Sequence, residues 1–94
     1  MTEAELLSTV KSGLLITNSL FDDVLKIHIR DVKLYLKNAG VKDFVIESED
    51  AVGAIVRGVS DLWNNGSGDV NFSPYFRDRA TQLALLGGDE NVST

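Results

Sequence analysis

The chain has 94 residues, no cysteine, and 14 acidic against nine basic side chains, giving a formal net charge of -5. A domain of this size has room for one hydrophobic core and buries only ~60–65% of the surface that its unfolded chain exposes, so contacts with partners add materially to its stability. The lack of cysteine excludes disulfides and zinc-thiolate sites.

The charge and the apolar runs also restrict the partners. Ordinary DNA binding needs clustered Lys and Arg, whereas the basic residues here alternate along the sequence with acidic ones. An acidic surface would instead suit a channel through which DNA slides. The N-terminus is acidic where a signal peptide would be basic, and no apolar run approaches the ~18 residues of a membrane span. Neither secretion nor membrane insertion is expected.

The spacing of the apolar residues predicts an all-α fold, a compact bundle of about four helices, because they recur every three or four positions and the chain has a single proline. The first predicted helix covers 2–12 and ends at Gly13. The connector 14–18 follows, and its Leu and Ile side chains are expected to fill part of the core.

The second predicted helix, 20–38, has the strongest signals. Asn18 or Ser19 can cap its start, and Gly40 ends it. Helical spacing predicts a core-facing stripe on this helix. The stripe comprises Phe21, Val24, Leu25, His28, Val32, Tyr35 and Leu36.

A second apolar stripe on the same helix consists of Leu20, Ile27 and Leu34, spaced by seven. With it the apolar arc spans roughly 220°, about twice the width that a surface helix needs. Either a partner covers this stripe, or the first helix and the connector cover it within the monomer.

The region after Gly40 divides into a short apolar cluster and a third helix. Residues 41–47 are expected to form a packed loop or one short strand. Ser48 then caps a helix over 49–64. Its core stripe is Val52, Ile55, Val56, Val59, Leu62 and Trp63. Small residues, Ala51, Ala54 and Gly58 with Gly53 beside them, predict a close crossing with another helix.

The glycine-rich stretch 65–71 is expected to be a mobile loop or a small hairpin. Ser73 and Pro74 then read as the cap and first residue of a last helix over 74–86, which Gly87–Gly88 ends. Phe76, Ala80 and Leu83 should face the core. The predicted organisation is therefore one helical domain, 1–86, and a flexible acidic tail, 87–94.

No catalytic, cofactor-binding or metal site is expected. His28 is alone on an apolar stripe, and the acid pairs at 22–23 and 49–50 lie at helix starts, where the helix dipole explains them. Gly66–Ser67–Gly68 lacks the Lys-Ser or Lys-Thr of a phosphate loop.

The arginines and the tryptophan, which could bind an anion or a ligand, also have structural explanations. Arg57 precedes Asp61 by one helical turn, and Asp78 lies between Arg77 and Arg79, so paired surface charges are expected. Trp63 is expected to anchor the core.

The order of these elements resembles the small head-to-tail connector (adaptor) proteins of tailed phages, which are also labelled DNA-packaging proteins. The matching segments, over about residues 5–86, are Leu-Leu-Ser-Thr-Val-Lys-x-x-Leu at 6–14, Phe-Asp-Asp-Val-Leu at 21–25, Tyr-Leu-x-x-Ala-Gly-Val at 35–41, Ala-Ile-Val-Arg-Gly-Val-Ser-Asp-Leu-Trp-Asn at 54–64, and Phe-Ser-Pro-Tyr-Phe at 72–76, followed by Gln-Leu at 82–83. Each segment is mostly core spacing, so the resemblance lies in their order.

The resemblance implies a virion protein made in the bacterial cytoplasm. Such subunits form a ring, usually of twelve copies, under the portal at the capsid vertex, and a downstream neck or tail-completion protein binds below. DNA passes through the ring without sequence-specific binding. One departure from this pattern is that no conspicuous basic patch is evident in the sequence.

Within that role, three sets of residues are candidate contacts. Leu20, Ile27 and Leu34 are the candidate subunit interface; Asn65, Gly66, Ser67, Gly68 and Asp69 are a candidate loop at the lumen or a partner; Leu85, Leu86, Gly87 and Gly88 are a candidate segment for docking on the portal. The alternative function is a small regulatory or DNA-binding protein of helix-turn-helix type, which the lack of a basic recognition helix disfavours.

Overall fold

The computed structural model describes residues 2–65 and 72–92, with the backbone alone at 65 and 87–92. Its elements are α1 (Glu3–Leu14), α2 (Asp22–Asn38), the single turn α3 (Asp43–Ile46), a 3-10 turn (Glu49–Ala51), α4 (Val52–Asn65) and α5 (Pro74–Val92). No strand occurs in these two ranges. The predicted all-α bundle with four principal helices is confirmed.

α1 begins with a reciprocal cap. The Glu5 backbone N–H donates to Thr2 Oγ1 at 3.1 Å, and the Thr2 N–H and hydroxyl donate to the Glu5 carboxylate at 3.1 and 2.9 Å. These hydrogen bonds to the charged form lower the pKa of Glu5. The N-terminus of α1 is thus fixed by local contacts.

The end of α1 differs from the prediction at Gly13. The helix continues to Leu14, and Leu15 adopts the left-handed conformation that ends it, with φ of 60°. Gly13 serves a different purpose, because a Cβ there would lie 2.9 Å from Val56 Cγ1. The glycine lets α1 approach α4 closely.

The predicted core stripe of α2 is confirmed at Leu25, Val32 and Leu36, and the buried face is rotated from its other members toward Ile29. Its buried residues are Leu25, Ile29, Val32 and Leu36. Ile29 was missing from the predicted stripe, and Phe21, Val24, Tyr35 and His28 lie at its edge, where they are exposed or half-buried. The prediction is wrong for these four edge residues and for Ile29, because on a helix with so wide an apolar arc the packing against α4 decides which side faces inward.

The edge aromatics of α2 cover the core from outside. Phe21 meets Trp63 edge-on, with ring centroids 5.2 Å apart, and Tyr35 lies 4.7 Å from Phe72 and 5.4 Å from Phe76. Aromatic pairs at such distances stabilise a fold by about 0.5–1.5 kcal/mol each beyond their buried area. Trp63 is half-buried and packs against the core as an anchor.

The segment after Gly40 is helical, so the predicted packed loop or strand over 41–47 is wrong. Gly40 has φ of 99°, which ends α2, and the N–H groups of Val45 and Ile46 then donate to the Lys42 carbonyl. One helical turn buries Val45 and Ile46 together, which an extended strand with alternating faces cannot do.

α4 is the central helix and contacts α1, α2 and α5. Ser48 Oγ accepts from the Asp50 N–H at 3.2 Å, as predicted, and the first turn is 3-10. The predicted close crossing is confirmed at Gly58, where a Cβ would meet Phe76 Cε1 at 2.7 Å and Val32 Cγ1 at 2.9 Å. Gly53 takes no part, because a Cβ there has nothing within 4 Å.

α5 is capped by Ser73, whose Oγ accepts from the Phe76 N–H at 3.3 Å, and it buries Phe76, Ala80 and Leu83 as predicted. Its predicted end at Gly87–Gly88 is wrong, since the helix continues to Val92. Glycine permits the left-handed conformation that ends a helix but does not enforce it.

Candidate assembly surfaces

The outer side of α2 carries large apolar side chains that the rest of the described chain leaves uncovered. Leu34 is 55% exposed and Ile27 48%, while Leu20, just before the helix, is 81% exposed. The sequence left two alternatives for this stripe. The described chain does not cover it, so the alternative in which α1 and the connector bury it within the monomer is not supported. These side chains are free for contact with another molecule.

A row of cations runs beside this apolar row. Lys26, Arg30, Lys33 and Lys37 are spaced by four, three and four, which places them on one side of α2 within about 60°. Along the sequence Asp31 lies among them and the bases of the chain as a whole are interleaved with acids, so no basic patch is evident there. On the helix they are segregated, and their spacing was the signal that could have revealed them.

Two of these cations form ion pairs with the segment around α3. Lys33 Nζ lies 3.0 Å from Glu47 Oε2, and Lys37 Nζ lies 3.9 Å from Asp43 Oδ1. Arg30 forms no ion pair within the described ranges. The row therefore keeps cationic groups available next to exposed apolar ones.

Between α2 and α3 lies a groove of about 360 Å³. Its apolar surface comes from Leu34 and Ile46, and charged side chains surround it. The charged lining consists of Arg30, Lys33, Lys37, Asp43 and Glu47. A groove with an apolar floor and a mainly cationic rim can hold apolar side chains that are followed by acidic ones.

A hydrogen-bond network joins α4 to the start of α5 and so fixes both ends of the glycine-rich stretch. The Ser73 N–H donates to Asp61 Oδ2 at 2.9 Å, and Arg57 Nε lies 3.6 Å from Asp61 Oδ1 and donates to Ser73 Oγ at 3.3 Å. The predicted pairing of Arg57 with Asp61 is confirmed. Asn65 is the last residue of α4, while Gly66, Ser67, Gly68 and Asp69 lie outside the described residues.

Arg79 has other partners than the Asp78 expected from sequence. Its guanidinium donates to the Asp50 carbonyl at 3.1 Å and to Gln82 Oε1 at 2.7 Å. On a helix, neighbours in sequence point about 100° apart, so residue 79 faces the 3-10 turn and not residue 78. This contact attaches α5 to the entry of α4.

The last part of α5 is the third candidate surface. Leu85 is 60% and Leu86 46% exposed, and both follow Leu83, the last fully buried residue among the described side chains of α5. Gly87 and Gly88 continue the same helix. Two adjacent exposed leucines on a helix form a second apolar surface for a partner.

The single histidine and the acidic side chains are dispersed in the described part of the chain. His28 is half-buried on α2, and among the side chains described at 2–64 and 72–86 no three His, Asp or Glu are grouped to hold a metal ion. Nor does any helix in those ranges combine the length and apolarity needed to cross a bilayer. What the surface offers is apolar and cationic contact area.

A small all-α domain with uncovered apolar helix faces has the features of a subunit of an assembly. A family model described as phage connector protein matches residues 6–65, which cover α1 through α4, and the chain belongs to this family. The family is structural, and membership implies a place in the phage virion among other virion components. Neither a curated protein nor a solved structure gives a significant match.

Proposed function

We propose that this protein is the head-to-tail connector that forms a ring, of twelve copies, beneath the portal and extends the DNA channel toward the tail. The observation that carries the proposal is the exposed apolar row of α2 in a chain of the phage connector family. Exposed leucine and isoleucine side chains at helical spacing are costly in a free monomer, and a neighbouring subunit would remove them from water.

The subunit interface in this proposal consists of Leu20, Ile27 and Leu34. Burying each of these side chains stabilises an association by about 1–2 kcal/mol for the part that is now exposed. The cations beside them would set the orientation of the neighbour, because charged groups at the rim of an interface favour one arrangement over others.

The remaining contacts follow from the position of the other segments. The stretch 65–69 begins at the end of α4, and its two flanks are fixed by the Asp61–Ser73 hydrogen bond, so it can reach the lumen or a partner without disturbing the core. Portal above and a neck or tail-completion protein below are the proposed partners, and DNA passes without sequence-specific contact. The net charge of -5 supports passage over binding.

The experiment is assembly with the portal protein encoded by the same phage, followed by mass photometry and negative-stain imaging. The unaltered chain should form rings on the portal, whereas a Leu20→Glu, Ile27→Glu double variant should stay monomeric with unchanged far-UV circular dichroism. Leu15→Glu is the matched control, since Leu15 is 88% exposed and lies in the turn between α1 and α2.

Two results would contradict the proposal. The first is a chain that remains monomeric at high concentration and never associates with portal or neck proteins. The second is sequence-preferring DNA binding in a gel shift at low salt that weakens steeply as salt rises, which would favour the helix-turn-helix alternative.

A further inference from the structure

The groove between α2 and α3 is open in the described chain although its floor is apolar. Leu34 supplies much of that floor, and none of the groove's lining residues comes from α5. Its volume of about 360 Å³ lies within the range of ~300–1,000 Å³ typical of sites that hold small ligands or side chains. An apolar groove of this size is a place for a few apolar side chains of another segment.

The chain itself contains a segment with matching chemistry. Leu85 and Leu86 are exposed on α5 after the buried Leu83, and the sequence continues Gly-Gly-Asp-Glu through Asp89 and Glu90. Two leucines would occupy an apolar floor, and acidic groups about one turn later would meet a cationic rim.

The charges of the groove favour an acidic occupant. Three cations, Arg30, Lys33 and Lys37, face two carboxylates, Asp43 and Glu47. Lys33 and Lys37 lie near these two carboxylates, whereas Arg30 forms no ion pair in the described part of the chain. Among the described residues, the groove lining therefore carries one more cation than carboxylates, in a molecule whose net charge is -5.

The occupant must come from a second molecule. α5 is one continuous helix from Pro74 to Val92 that passes α3, and none of its described residues lines the groove of its own subunit. A contact between two different surfaces of identical chains is head-to-tail, and such contacts close into rings when the rotation between neighbours permits.

We infer that the C-terminal segment of α5, beginning at Leu85, occupies the groove between α2 and α3 of a second copy of this chain. The inference rests on the proposed function, because it assigns one contact of the ring. Docking of the same segment on the portal is the competing outcome; the neighbouring copy is favoured because both surfaces are present on this chain and are complementary in apolar character and charge.

Cysteine cross-linking tests the contact cleanly, since the chain has no native cysteine. A Leu34→Cys chain is mixed with a Leu86→Cys chain that carries a mass tag, and disulfide-linked species are resolved by mass spectrometry under assembly conditions with portal present. The expected product is the mixed dimer, with a yield several-fold above that from Leu15→Cys mixed with Leu86→Cys. Leu15 is the matched control because it is an exposed leucine outside the groove.

A second measurement addresses the charge contribution with the full-length chain. Arg30→Glu should weaken ring assembly about fivefold, as expected for loss of one exposed charge contact, and Arg77→Glu, an exposed arginine of α5, should not.

The outcomes separate the inference from the proposed function. Rings on the portal without a mixed 34–86 dimer, or with equal yields at positions 15 and 34, overturn the inference and leave the connector function standing. A cross-link from position 86 to the portal alone assigns the segment to the portal and also overturns it. Absence of any assembly contradicts the proposed function.

Discussion

Gly58 of α4 packs directly against Val32 of α2, so closely that a Cβ on residue 58 would lie 2.9 Å from Val32 Cγ1. Phe76 of α5 approaches the same point, at 2.7 Å from its Cε1. Three helices thus meet at a position where only hydrogen fits, and Val32 and Phe76 are both fully buried there. This contact fixes the spacing of the bundle.

Gly58→Ala should destabilise the fold by about 1–3 kcal/mol, because an additional methyl group in a packed core forces its neighbours apart. Gly53→Ala in the same helix is the control. It meets open space, and replacing glycine in a helix should stabilise the fold by about 0.4–1 kcal/mol. Urea unfolding of both variants measures the difference, and a Gly58→Ala protein as stable as the parent would contradict the close crossing.

Asp61→Ala should destabilise the protein by about 1–3 kcal/mol, since it leaves the part-buried Ser73 N–H without its acceptor. The effect should appear in thermal unfolding. Asp78→Ala removes an exposed acid from α5 and should change stability by less than ~0.5 kcal/mol. Equal effects of the two substitutions would mean that the Asp61–Ser73 hydrogen bond contributes nothing.

Leu15→Gly should stabilise the fold by about 0.5–1 kcal/mol. A non-glycine residue at φ of 60° carries a strain of ~1–2 kcal/mol, only part of which is offset by the greater freedom of glycine in the unfolded chain. Leu15 is exposed, so little packing is lost. Leu15→Ala keeps the backbone strain and should not stabilise the fold. A melting temperature that rises for Leu15→Gly and not for Leu15→Ala would support this explanation, and equal melting temperatures would contradict it.

The Glu5 carboxylate should make the start of α1 sensitive to acid. Hydrogen bonds from Thr2 hold the pKa of Glu5 below its ordinary value of 4.5 in the folded state, so its stabilising contribution is present above pH 4.5 and is lost as pH falls through the folded pKa. The protection factors of the Glu5 and Leu6 amides, which compare their exchange rates with those of the unfolded chain at the same pH, should therefore fall in acid. Glu5→Gln should remove that pH dependence, and protection factors of the parent that do not change with pH would contradict the role of the carboxylate.

Local signals allowed much of this fold to be predicted from the sequence. Ser48 and Ser73 were recognised as caps because a hydroxyl before a helical stripe satisfies free N–H groups, a rule that needs no tertiary information. The width of the apolar arc on α2 identified Leu20, Ile27 and Leu34 as a second stripe and left open whether the monomer covers it, and in the structure all three are exposed. That they contact another subunit stays a prediction.

The features that were missed depend on three-dimensional context. Ile29 faces the core because α4 packs on that side of α2, which the sequence of α2 alone does not specify. The cation row is not evident from the linear order of charges, because residues three and four positions apart become neighbours only on the surface of a helix. The course of α5 beyond Gly87 could not be predicted because glycine is compatible with both continuing and ending a helix.

The attachment of α5 at two separate points has a mechanical consequence. At its start, the Ser73 N–H donates a hydrogen bond to Asp61 of α4. About two turns later, the Arg79 guanidinium donates one to the Asp50 carbonyl. A pull on the far end of α5 would therefore load both attachments and the buried Phe76 together, so the helix should act as a stiff lever that passes force into the centre of the subunit. In an assembly where a neighbouring molecule binds this end, a displacement of the neighbour should therefore be transmitted to the core of the subunit.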